Sequence, residues 1–98
     1  MSFDKAIEAS LAAAIGDDHA LLTELRAAFL DSATRHLEAL SAAEVQENWS
    51  DAALRLKGLA ASFGAAALMT RAGQAAKAPC GDRQILAAIE AELSAFGR

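Results

Sequence analysis

Few side chains in this sequence could carry out chemistry. The candidates for nucleophilic or acid–base work are His19, His36, the single Cys80 and the Asp31-Ser32 pair. A neutral imidazole can serve as base, nucleophile or metal ligand near neutral pH. His19 directly follows Asp17 and Asp18, but these are consecutive donors without the four-residue helical spacing of a zinc site, so no metal is expected. Helix capping accounts better for the two aspartates, because a carboxylate accepts the free amide hydrogens of a helix start. His36 stands beside Leu37 and near Leu40 in an apolar stripe, which suits a partly buried imidazole bonded to a backbone group or a carboxylate. Cys80 has no second cysteine to pair with, so a reducing, cytoplasmic setting is expected. No Ser, His and acid set and no glycine-rich phosphate loop can be assembled, so the chain is not expected to be an enzyme or to need a cofactor.

These residues must be positioned by helices. Of the 98 residues, 27 are Ala and 13 Leu, whereas Val, Ile and Thr together supply eight, a choice that favours helix and starves any sheet. Phe3, Ile7, Leu11 and Ile15 recur at steps of four before Gly16, predicting a short first helix. Asp17 and Asp18 then open a longer one, carrying Leu21, Leu22, Leu25, Phe29, Leu37 and Leu40 and running to about Ala43. A turn is expected between Glu44 and Asn48, with Asn48 or Ser50 capping the next helix, which Gly64 ends. A small-residue helix with Leu68, Ala72 and Ala75 or Ala76 on one face halts before Pro79. After a loop over 78–81, Asp82 starts a last helix with Ile85, Ile89, Leu93 and Phe96 inward. One domain over residues 1–98 follows, all-α, an antiparallel four-helix bundle capped by the short N-terminal helix.

The segment from Trp49 to Phe63 is the most informative. At about 100° per residue, Trp49, Ala53, Leu56, Ala60 and Phe63 share one narrow sector, the buried one. Leu54 falls roughly opposite, near Gly58 and Ala61, with Lys57 one turn along and Asp51 across. A glycine inside a helix costs about 1 kcal/mol against alanine, so either a helix packs closely on Gly58 or something approaches the outer face there. Leu54 and Lys57 beside it favour the outer face.

The string Leu54-Arg55-Leu56-Lys57-Gly58, with Gly64-Ala65 beyond it, resembles the signature of histidine-containing phosphotransfer (HPt) domains, H-x-L-K-G followed by a glycine-alanine pair. Leu56, Lys57, Gly58, Gly64 and Ala65 match in spacing, and the resemblance extends from about Asp17 to Phe96. It implies a four-helix bundle that passes phosphoryl groups to and from receiver aspartates in two-component phosphorelays. It also implies that Lys57 lies beside an incoming phosphoryl oxygen and that Gly58 leaves that space clear. The position of the phosphorylated histidine, however, is Leu54. An alkyl chain has no lone pair for attack on an aspartyl phosphate, and Arg55 and Lys57 are protonated at neutral pH.

The expectation is therefore an HPt-like module without its phosphoacceptor, which binds a response-regulator receiver domain or a histidine kinase through Leu54, Arg55, Lys57, Gly58 and Ala61. The alternative is a true phosphotransfer protein in which leucine has been put in place of the histidine, or in which a different histidine serves. From another class, Asp31-Ser32 resembles the attachment site of acyl carrier proteins, which are also small, acidic helical bundles; but Ser32 falls inside a periodic helix and Ala33 stands where leucine would follow. Nine Lys and Arg against thirteen Asp and Glu leave a formal charge of −4 and a pI near 5.0, which repels nucleic acid and favours a protein partner. No apolar run approaches the roughly 20 residues of a membrane span, so no membrane partner is expected.

Overall fold

The fold was obtained as a computed structural model, which describes residues 18–96. The helix expected over residues 3–15 lies outside the described residues. Four helices follow in order, and no strand occurs among the described residues: α1 (His19–Ala42), α2 (Gln46–Phe63), α3 (Ala66–Lys77) and α4 (Arg83–Phe96).

Local chemistry sets most of these boundaries. Asp18 caps α1, its carboxylate accepting from the amide of Leu21 at 2.9 Å. Gly64 ends α2 in the left-handed region at φ 72°, a conformation that a Cβ would strain. Its amide and that of Ala65 bond back to Ala61 and Ala60, closing the last turn. Asp82 opens α4, its carboxylate accepting from the amides of Gln84 and Ile85 at 3.0 and 3.3 Å.

The expected capping of α2 by Asn48 or Ser50 is not what forms. The helix begins earlier, at Gln46, after a Val45 N-cap that makes no side-chain bond. Two long-range contacts account for the early start. The Gln46 amide nitrogen donates to the carbonyl of Ala78 at 3.0 Å, and its oxygen accepts from the amide of Cys80 at 2.8 Å. Trp49 must already be helical for its indole N–H to reach the carbonyl of Ala75 at 2.7 Å.

Each helix packs on two others: α1 on α2 and α4, and α3 on α2 and α4. The connections, residues 43–45, 64–65 and 78–82, are short, so helices adjacent in sequence become adjacent in space. The largest fully buried side chains are Trp49, Phe29, Phe96, Leu40, Leu56, Leu68 and Ile89. Alanines 52, 53, 60, 65, 72 and 75 are buried in α2, α3 and the turn between them, and their small side chains let neighbouring backbones approach closely. Phe63, expected in the core, is half-buried and packs at a tilt against Phe29, with ring centroids 4.8 Å apart. Leu21, placed in the stripe of α1, is instead 39% exposed.

The two ends of the bundle differ. At one, Phe29 of α1 meets the last residues of α2 and α4, Phe63 and Phe96, and Arg26 lies 5.0 Å over the Phe96 ring. At the other, Gln46, Trp49 and Ser50 at the start of α2 bond to the carbonyls of Ala75, Ala76 and Ala78 at the end of α3. No helix among the described residues is long and apolar enough to cross a membrane.

Candidate functional site

The exposed face of α2 is built by the same periodicity that buries its other side. Trp49, Ala52, Ala53, Leu56 and Ala60 point inward, so residues half a turn away must face out. Leu54 and Leu56 make the contrast plain: the first is 54% exposed and the second fully buried. Three large hydrophobic residues are exposed among the described residues, Leu21, Val45 and Leu54. Val45 sits in a connection and Leu21 in the first turn of α1, which leaves Leu54 as the one in a helix interior.

The four neighbours named from the sequence share this outer surface, for Arg55, Lys57, Gly58 and Ala61 are all exposed. Arg55 turns back along the helix to Asp51, Nε to Oδ2 at 3.0 Å. Both partners of that ion pair are largely solvated, so it orients the guanidinium and adds little stability. Nothing lies within 4 Å of the place a Cβ on Gly58 would take. Close packing of a neighbouring helix therefore does not explain that glycine, and its outer side is open. The Ser62 hydroxyl donates to the Gly58 carbonyl at 3.0 Å, a further bond to that exposed backbone oxygen.

Lys57 takes a direction that the wheel could not give. Its Cδ and Cε lie 3.8 Å from where a Cβ on Gly73 would be, so the chain reclines across α3. There it lines a groove of about 280 Å³ with Met69, Thr70, Gly73, Gln74 and Lys77. Periodicity on α3 held the missed signal, since residues 70, 73, 74 and 77 recur at helical spacing as a polar and small-residue face. On the opposite flank of α2, His36, Asn48, Asp51 and Arg55 line a shallow cleft of about 400 Å³ floored by alanines of α1 and α2. His36 is half-buried as expected, but its imidazole makes no hydrogen bond to a described residue.

The other candidates are dispersed. His19 is the exposed first residue of α1, Ser32 lies within that helix, and Asp31 pairs with Arg35 at 2.8 Å. The half-buried Cys80 thiol donates to the carbonyl of Ala43 at 3.2 Å, tying two connections together. Among the described residues, no three His, Cys, Asp or Glu side chains gather to hold a metal ion. The outer face of α2 thus combines one aliphatic knob, two basic side chains and a bare stretch of backbone. That set can form apolar and charged contacts, but it holds no group able to accept a phosphoryl from an aspartate. No protein-family model, no curated protein and no solved structure matches this chain.

Proposed function

We propose that this protein is an HPt-like signalling module that docks on a receiver domain or a histidine kinase through the outer face of α2 and carries no phosphate itself. The observation that supports this most is Leu54, 54% exposed in the middle of α2 at the position of the signature's histidine, next to the open space over Gly58. An aliphatic group flanked by cations and small residues suits a protein contact, where an apolar centre is framed by a polar rim. The contacts of Phe29 with the far ends of α2 and α4, and of Trp49 with the end of α3, favour the antiparallel arrangement of an HPt bundle. A cytoplasmic location belongs to the same reading.

The test uses a receiver domain phosphorylated on its aspartate. The unmodified chain is expected to stay unlabelled, and Leu54→His to gain an acid-labile phosphate. Label on the unmodified chain would sink the phosphate-free reading. Titration with the receiver tests the docking, with Leu54→Asp expected to weaken it at least tenfold by placing an unpaired carboxylate in an apolar contact. Unchanged affinity would move the interface off α2.

A further inference from the structure

The charges on α2 are sorted along its length. Glu47 and Asp51 come before Leu54, Arg55 and Lys57 come after it, and no charged residue follows within the helix. We infer that this face also binds a second copy of the same chain, as a weak two-fold dimer in which two α2 helices lie antiparallel across Leu54. This pairing requires no receiver.

Charge complementarity selects that arrangement. Antiparallel helices with the two-fold axis at the level of Leu54 bring the acidic half of each against the basic half of the other. A parallel pair would set acid on acid and base on base. On a wheel of about 100° per residue, Asp51 and Arg55 sit about 40° apart on one flank of Leu54 and Lys57 sits on the other. The two-fold operation keeps each flank on its own side, so Arg55 of each copy comes next to Asp51 of the other. The existing Asp51–Arg55 pair, at 3.0 Å within one chain, becomes half of an alternating cluster of four charges. Leu54 meets Leu54 on the axis itself, and Lys57, on the other flank, reclines across α3 toward Gly73 and takes no part in the pairing.

Gly58 supplies the clearance. The space over it is empty to 4 Å, and Ala61 beyond it is small and exposed, so a second backbone can approach there. Because the contact is isologous, it closes at two copies and does not propagate into a filament. Its size limits its strength. A face about 27 Å long and one helix wide covers roughly 300 Å², well short of the ~800 Å² per partner of a stable complex. Association in the range of about 100 µM and above is expected, so the dimer forms where the protein is concentrated and covers the face that a signalling partner would use.

Sedimentation equilibrium of the chain from about 10 µM to 1 mM, with amide chemical shifts followed over the same range, tests this. A monomer–dimer equilibrium with shifts centred on Leu54, Gly58 and Ala61 is the expected result. Asp51→Arg and Arg55→Asp each place like charges across the two-fold axis, so each variant alone should associate at least tenfold more weakly. Mixed in equal amounts they should associate again, since the arginine introduced in one chain then faces the aspartate introduced in the other. Circular dichroism confirms that both variants are folded before they are mixed. A single monomeric species at 1 mM overturns the inference, as does self-association that neither variant weakens, or variants that fail to recover on mixing. Shifts on this face produced by a receiver but not by concentration would assign it to that partner alone, and would equally overturn the dimer.

Discussion

Replacing Leu54 and Leu56 by alanine, one at a time, isolates the orientation of α2 better than any other pair of changes. The two residues share a helix and a side-chain type, and they differ in that one is 54% exposed and the other fully buried. Leu56→Ala removes a fully buried side chain from the inner face of α2, where its neighbours along the helix, alanines 52, 53 and 60, are too short to fill the space left behind. The cost should lie in the upper part of the usual 2–5 kcal/mol, about 3–4 kcal/mol. A domain of this size has a total stability of roughly 5–10 kcal/mol, so that single change uses a third or more of it. Leu54→Ala gives up about half the burial of a leucine and regains a little helix propensity, for a net cost under about 1 kcal/mol. Urea unfolding followed by circular dichroism reads both, and the midpoints should fall by about 3 M for Leu56 and about 1 M or less for Leu54. Receiver titration is expected to reverse the order: Leu54→Ala loses about fivefold in affinity by forgoing about 1 kcal/mol of burial in the complex, whereas folded Leu56→Ala protein binds as before. Equal losses of stability, both above about 2 kcal/mol, would show that residue 54 is sealed inside and would refute the reasoning.

Two further substitutions probe the same helix. Gly58→Ala should raise stability by about 0.5–1 kcal/mol, because Gly58 is helical, lacks a positive φ and has open space around its Cβ position; thermal melts check this, and a fall in stability would mean that the space is filled. Trp49→Phe deletes the 2.7 Å bond to the carbonyl of Ala75, which still accepts from the amide of Ala78 at 3.0 Å. The acceptor is thus not orphaned, and the expected loss is about 2 kcal/mol from the bond and the smaller ring together, measured by urea unfolding; a loss under about 0.5 kcal/mol would contradict this account.

The parts of the fold legible in the sequence were those decided by neighbours along the chain. Asp18, Gly64 and Asp82 mark helix ends through bonds and angles that span a few residues, and the wheel separates Leu54 from Leu56 by rotation alone. What the chain could not show in one dimension came from residues distant in sequence. Gln46 starts α2 two residues ahead of Asn48, a nearby capping candidate, because its partners are Ala78 and Cys80, more than thirty positions away. Lys57 was identified as a cation of the outer face, but its lean toward Gly73 depends on the absence of a side chain on another helix. The cleft holding His36 near Asp51 and Arg55 likewise exists only once α1 and α2 are side by side.

The bonds that α2 sends to the end of α3 have a consequence for how the molecule comes together. The last four carbonyls of a helix have no amide one turn further on within it to accept from. In α3 the oxygens of Ala75 and Ala76, and that of Ala78 just beyond, accept hydrogen bonds from Trp49, Ser50 and Gln46, the Ala75 oxygen in addition to the one it takes from the amide of Ala78. One helix therefore finishes its neighbour. A peptide spanning α3 alone should fray from its C-terminus, and in the intact protein amide exchange should release the final turn of α3 together with the first turn of α2, as one cooperative unit.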